Sequence, residues 1–319
     1  MRLIINIGTL FLLLVVTSSC LPSQSTVETR ITLTPTTRPT SVPAVTASLI
    51  PTEITELSAD EIRRRTLELL QNNNSCNLPY LLGITPGVTS AEERASHLAW
   101  FRQVEIPGFR TGLADHEEFF LGVRNMFFSE QGVEVTVSLT YHEENGAVEQ
   151  MDLRTRATQE HQEVFGDPLF NDLLNYYLLP QILSQYGPPS SVLIGAWHED
   201  PFLHASYTVF STVVIYFDLG FMIEYVSSSE LINNQIRGCP TQSYFYLWTW
   251  SPEARPSLQE IVSKKPADIG FVPGSIDYFK PVDQVTSMTL DEFYNIFKDP
   301  QVTQCLETPG DLWPNPNKP

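Results

Sequence analysis

The chain has 319 residues, with 37 Asp and Glu against 19 Lys and Arg, for a formal net charge of -18 at pH 7. So acidic a chain repels nucleic acid and anionic lipid, and neither is expected as a partner. Once a leader and a linker are set aside, residues 58–319 remain, enough for one large domain or two small ones.

The leader is residues 1–19. Arg2 is followed by an almost wholly apolar run from Leu3 to Val16, then Thr17, Ser18 and Ser19 before Cys20. A basic start, a short apolar stretch and small residues before a cut form the signal-peptide pattern. The run is shorter than the roughly 20 residues of a membrane span. Its end resembles a bacterial lipobox, with Thr17 and Val16 near the usual leucine place. The expectation is cleavage before Cys20 and lipidation of its thiol, since paired acyl chains anchor a protein stably. An ordinary secretory signal cut near Ser19 is the alternative. Residues 20–57 read as a disordered Ser/Thr/Pro linker, too poor in apolar side chains to offset the entropy of ordering. Fully extended, it would reach about 110 Å.

Within the expected globular domain, Ser58 to Glu61 is a capping box that opens a helix to about Gln71. Pro86-Gly87 marks a turn. Thr89 and Glu92 then read as a second box, with a helix to about Gln103. Glu118 to Phe128 is a candidate strand. Val133, Val135, Val137, Leu139 and Tyr141 alternate with polar residues, as in a half-buried strand. Asn145-Gly146 is a hairpin turn, with Ala147 to Thr155 returning. Asp167-Pro168 opens a helix, and Pro180 must kink it or start another. Tyr186-Gly187-Pro188-Pro189 stops that helix. Strands are expected over Ser191 to Trp197, Tyr207 to Phe217, Phe221 to Val226 and Tyr244 to Trp250. Two capped helices follow, Leu258 to Ser263 and Leu290 to Phe297. This order argues an α+β fold with antiparallel sheet and helices on one face, and it argues against a doubly wound parallel sheet. Residues 85–155 and 168–226 read as two loosely similar helix-hairpin blocks.

No catalytic, cofactor-binding or metal-ligating residue stands out. Nucleophile-elbow, P-loop, zinc-protease and dinucleotide glycine patterns are all missing from the sequence. Trp197-His198-Glu199-Asp200 with His204 is the best metal-like group, but a six-residue histidine spacing fits no regular element. Asp115-His116-Glu117-Glu118 and His142-Glu143-Glu144 read as solvated turns. Tyr244, Tyr246, Trp248 and Trp250 share one face of a strand. Phe245 and Leu247 on the other face argue that both sides are core rather than an open stacking platform. Besides Cys20, the chain holds Cys76, Cys239 and Cys305. A Cys239–Cys305 disulfide would tie the C-terminal tail to the body, and Cys76–Cys239 is its rival.

Several segments together carry a resemblance. They are Cys76-Asn77-Leu78-Pro79, Gly83-Ile84-Thr85-Pro86-Gly87-Val88-Thr89, Tyr186-Gly187-Pro188-Pro189, Leu247-Trp248-Thr249-Trp250-Ser251-Pro252 and Cys305-Leu306-Glu307-Thr308-Pro309. The domain resembles a group of uncharacterised exported bacterial lipoproteins, in which a second cysteine stands at the place of Tyr80. The resemblance implies an envelope location and no known activity. A more distant likeness, through Gly87-Val88-Thr89 and Gly187-Pro188-Pro189, is to SmpA/OmlA-type envelope lipoproteins and the β-lactamase-inhibitor-protein fold. That likeness implies a sheet face used for protein contacts. The expected function is thus a membrane-anchored binding or structural module. Its partners would be the membrane, through its lipid, and an envelope protein or polymer. An exported hydrolase, metal-dependent through the His198 loop, and a protein inhibitor or assembly factor are the alternatives.

Overall fold

The computed structural model describes residues 57–98, 104–116, 121–197, 209–254, 256–257 and 279–313. The leader, Cys20, nearly all of the linker and the helix expected over Leu258 to Ser263 lie outside the described residues.

Six α-helices occur among the described residues: α1 (Ala59–Asn72), α2 (Ala91–His97), α3 (Pro168–Leu173), α4 (Leu179–Tyr186), α5 (Val282–Val285) and α6 (Leu290–Phe297). The strands begin with β1 (Val104–Ile106), β2 (Phe109–His116), β3 (Leu121–Glu130), β4 (Val133–Glu144), β5 (Ala147–Gln159) and β6 (Gln162–Glu163). They continue with β7 (Ser191–Trp197), β8 (Val209–Tyr216), β9 (Phe221–Ile232), β10 (Gln235–Gly238), β11 (Tyr244–Trp250), β12 (Lys280–Pro281) and β13 (Leu306–Pro309).

Local chemistry explains most of the boundaries. Ser58 caps α1 by accepting from the Glu61 amide, but the Glu61 carboxylate turns to Arg64 and Arg65 instead of closing a box. The reciprocal box of α2 is Ser90 with Glu93, one residue later than expected. Thr89 is diverted, because its hydroxyl accepts from the Thr85 amide inside the preceding turn. Asp167 caps α3 through the Leu169 and Phe170 amides. Pro180 sits in the first turn of α4, so it starts a new helix. Thr289 and Glu292 form the box expected before α6. Asn145 and Gly146 both adopt positive φ, the backbone that a two-residue hairpin turn demands.

The strands form one antiparallel sheet in the order β1-β2-β3-β4-β5-β11-β9-β8-β7-β12. A meander, β1 to β5, thus meets a second one, β7 to β9, through the inserted strand β11. Beyond this path β10 pairs with both β9 and β13, and β6 pairs with β5. The chain is therefore α+β, with helices and antiparallel strands alternating in blocks. The seam between meanders is unusual. Thr155 of β5 uses its hydroxyl to bond both backbone groups of Phe245 in β11, accepting from its amide at 2.9 Å and donating to its carbonyl at 2.7 Å.

One sheet face carries the main core. Val135, Val137, Leu139, Leu153, Ile223, Tyr225, Phe245 and Leu247 join Ile62 and Leu70 of α1, Phe170 of α3, Ile182 and Leu183 of α4, and Phe293 and Phe297 of α6 in a single apolar cluster. Two of the segments that carry the resemblance meet here. The Leu78 amide donates to the Tyr186 hydroxyl at 2.8 Å, and Tyr176 bonds both Tyr186 and the Cys76 carbonyl. On the opposite face Val213, Ile215, Met222, Trp248, Trp250 and Phe279 form a second cluster. No helix among the described residues is long and apolar enough to cross a membrane.

Candidate functional site on the second sheet face

Strand alternation decides what the face away from the main core displays. In β4 the buried Val135, Val137 and Leu139 point to the core, so Ser138, Thr140 and His142 point away. Directly opposite them in β5 lie Arg154, Asp152 and Gln150. Opposite those in β11 lie Tyr246, Trp248 and Trp250. One strand further, Glu224 of β9 faces Tyr246 and Met222 faces Trp248. The face thus changes from hydroxyl and charged groups on β4 and β5 to aromatic and aliphatic groups on β11, β9 and β8, with Glu224 of β9 as the exception.

The charges at the middle of this face are buried. Asp152 is 6% exposed, Arg154 7% and Glu224 4%. The Arg154 Nε donates to Asp152 Oδ2 at 3.0 Å. Arg154 Nη1 and Nη2 make no hydrogen bond, and the same holds for His142 Nδ1 and Trp250 Nε1. Burial lowers the Arg154 pKa from its ordinary value, and the negative charges of Asp152 and Glu224 oppose that shift. Burial, with the nearby Glu224 charge, pushes the Tyr246 phenol up to about 12. A buried ion pair rarely adds stability over an apolar pair of the same size, because desolvation cancels most of the attraction. Native proteins satisfy nearly all buried polar groups, so the unbonded donors on these neighbouring strands make this face the candidate site.

The residues singled out from the sequence fall differently. His198, Glu199, Asp200 and His204 lie outside the described residues. Asp115 and His116 end β2, paired with Gly122 and Leu121, while Glu117 and Glu118 lie outside the described residues. His142 and Glu143 are not in a solvated turn but in β4, where the β4–β5 register shifts between them. Glu143 pairs with Arg94 of α2, both side chains being under 20% exposed. Arg94 also donates to the Tyr141 hydroxyl at 2.7 Å and lies over that ring. The strand Tyr244–Trp250 is core on both sides, with Phe245, Leu247 and Trp248 at 0% exposure and Trp250 at 2%. Cys239 is bonded to Cys305, with Cα atoms 4.1 Å apart, which excludes the Cys76–Cys239 rival. Among the described residues no group of three or more His, Cys, Asp or Glu is placed to hold a metal ion.

Sequence reasoning passed over Asp152, Arg154 and Glu224. Their signal was available: each is a charge within a strand, between apolar or β-branched neighbours, as in Met151-Asp152-Leu153-Arg154-Thr155 and Ile223-Glu224-Tyr225. A second surface is a shallow depression of about 440 Å³ at the β1–β2 turn, lined by Glu105, Phe109, Arg110, Phe127 and Glu134. Arg110 is already engaged there, bonded to Glu134 and lying over Phe127.

Comparison with family models, with curated proteins and with solved structures finds no match for this chain.

Proposed function

We propose that the chain is a membrane-anchored lipoprotein facing outside the cytoplasm, and that it works as a binding module of the cell envelope through the second face of its sheet. The observation that carries the binding role is the buried Asp152–Arg154 pair with its unbonded guanidinium nitrogens. Holding such a charge inside a sheet costs stability, and a binding role accounts for that cost. The location rests on the leader, on Cys20 as the lipidated residue, and on the linker that holds the body clear of headgroups. The Cys239–Cys305 bond supports it, since disulfides persist in oxidising compartments outside the cytoplasm. Kinship with the uncharacterised exported lipoproteins is part of the same reading. In its favour, the Cys76-Asn77-Leu78-Pro79 and Tyr186-Gly187 segments that carry the resemblance are joined by hydrogen bonds.

The test of location is metabolic labelling with an alkyne fatty acid in a bacterial host. The wild-type chain is expected in the membrane fraction, labelled, with globomycin blocking its maturation. Cys20→Ala is expected to lose the label and the globomycin sensitivity. Equal labelling of both chains would refute the anchor. The test of function is photo-crosslinking from Ser138 on intact envelopes, where a specific adduct lost in Arg154→Met is expected. No adduct from any position on this face would refute the binding role.

A further inference from the structure

Three large apolar side chains stand exposed around the tip of the β9–β10 hairpin. Leu231 and Ile232, at the end of β9, are 53% and 42% exposed, and Leu312 is 41% exposed. Leu312 belongs to the stretch after β13, which is docked on the hairpin because the Gly310 amide donates to the Asn234 carbonyl at 2.7 Å. The turn itself is Asn233-Asn234, both at positive φ and both uncharged.

Two features of the tip narrow what covers it. The first is that its apolar groups face both ways. Neighbouring strand residues point to opposite faces, so Leu231, opposite Ile236, and Ile232, opposite Gln235, point apart. A flat protein surface covers one face of a hairpin and leaves the other wet. A fluid apolar medium surrounds the tip and covers both. The second is where charge begins. Residues Leu231 to Ile236 carry none. The first charged row behind them is Glu230 opposite Arg237, which is opposite Glu307 of β13. Two residue pairs separate that row from the turn, a length of about 7 Å. Interfacial helices bury their apolar face in the headgroup and acyl boundary to a similar depth, about 5–10 Å. Asp311, exposed beside Leu312, limits the depth on that side to the headgroups. The row of Glu230, Arg237 and Glu307 carries both signs and so suits the phosphate and ammonium of a zwitterionic headgroup. The net charge of -18 disfavours an anionic surface.

We infer that the β9–β10 tip is a second membrane contact, which inserts Leu231, Ile232 and Leu312 into the headgroup and acyl boundary of a zwitterionic bilayer. The inference rests on the membrane-anchored location proposed above and adds how the body meets that membrane. Three side chains partition weakly by themselves. An anchor on the same chain raises the effective concentration to about the millimolar range, so weak partitioning suffices. A flexible tether permits this docked position as well as the extended one.

The experiment places a diazirine analogue of leucine at Ile232 in the full lipidated chain, reconstituted in phosphatidylcholine vesicles. Photolysis is expected to give a lipid adduct at residue 232 and none from the same analogue at Glu160, an exposed residue of another turn. Leu231→Glu and Leu312→Glu, at exposed positions, are expected to leave the thermal transition in place and each to lower the adduct about tenfold. Phosphatidylglycerol vesicles are expected to give less adduct than phosphatidylcholine. The inference is overturned if residue 232 gives no lipid adduct, if Glu160 gives as much, if neither glutamate variant lowers it, or if phosphatidylglycerol gives more. A protein adduct from residue 232 on intact envelopes, in place of lipid, would assign the tip to a protein partner and overturn it too. Loss of the fatty-acid label at Cys20 would sink the anchor and this inference together, whereas a labelled chain without the lipid adduct would sink this inference alone.

Discussion

The seam between the two meanders gives the sharpest stability prediction. Phe245 is fully buried, and its amide and carbonyl both point at β5. There they meet a single hydroxyl, that of Thr155, instead of a backbone partner. Thr155→Val keeps the shape of the side chain and removes only that oxygen. Two buried backbone groups then lose their partner, each at about 1–3 kcal/mol. The expected loss is about 3–4 kcal/mol, a large part of the roughly 5–15 kcal/mol that holds a domain folded. Urea unfolding of the two chains, followed by circular dichroism, measures it as a lower midpoint with an unchanged slope. Thr155→Ser is the control. It keeps both hydrogen bonds and loses one methyl, at about 1 kcal/mol. If Val costs no more than Ser, the seam is not held by the hydroxyl, and the account of how the meanders join is wrong.

Replacing Cys239 and Cys305 by Ser opens a bond across 66 residues; loop entropy sets the expected loss at about 4 kcal/mol, measurable by the same urea transitions with and without reductant. Gly238→Ala would place a Cβ 2.1 Å from Phe210 Cγ, whereas Gly146→Ala meets nothing within 4 Å. Differential scanning fluorimetry should show a clear fall in melting temperature for the first, of the size of about 1–3 kcal/mol, and a smaller fall for the second. Hydrogen bonds from Arg64 and Arg65 lower the Glu61 pKa to about 2. The folded value lies below the unfolded one, so its contribution is present above about pH 4.3 and is lost as pH falls toward 2. Carboxylate carbon shifts in NMR should show Glu61 titrating near pH 2, and a midpoint above 4 would remove those hydrogen bonds from the account. The Tyr246 pKa is pushed the other way, to about 12, so its stabilising effect is present below about pH 10 and fades between 10 and 12. Absorbance of Tyr246→Phe against wild type at high pH isolates that titration.

Elements were legible where the signal is local. Thr289 with Glu292 announces α6, Asn145-Gly146 announces a hairpin, and Ser191 to Trp197 and Tyr244 to Trp250 form strands over those same residues. What was lost depended on competition or on distance. The Thr89 hydroxyl is a good cap in sequence, but the turn at Thr85 takes it first, so the box moves to Ser90 and Glu93. β1, β10 and β13 were missed because they are short and apolar residues alone do not define them. Each exists because a neighbour offers an edge, and the Cys239–Cys305 bond lies beside the β10–β13 pair.

The candidate site was illegible for a deeper reason. Motifs find chemistry that neighbours in sequence perform together, such as the His198 and His142 groups weighed above. Here the groups come from β4, β5, β9 and β11, and the only thing that gathers them is register. Arg154 faces Tyr246, and Tyr246 faces Glu224, across about a hundred residues of chain. A slip of one residue in β5 would send Asp152 and Arg154 into the main core and bring Met151 and Leu153 out. The pairing of β5 with β11 therefore fixes the seam and the site at once, and the Thr155 hydroxyl that bonds Phe245 extends that pairing by one residue beyond its five-pair ladder. It follows that Thr155→Val should disturb ligand binding at Arg154 under conditions where the chain is still folded, although Thr155 points to the opposite face.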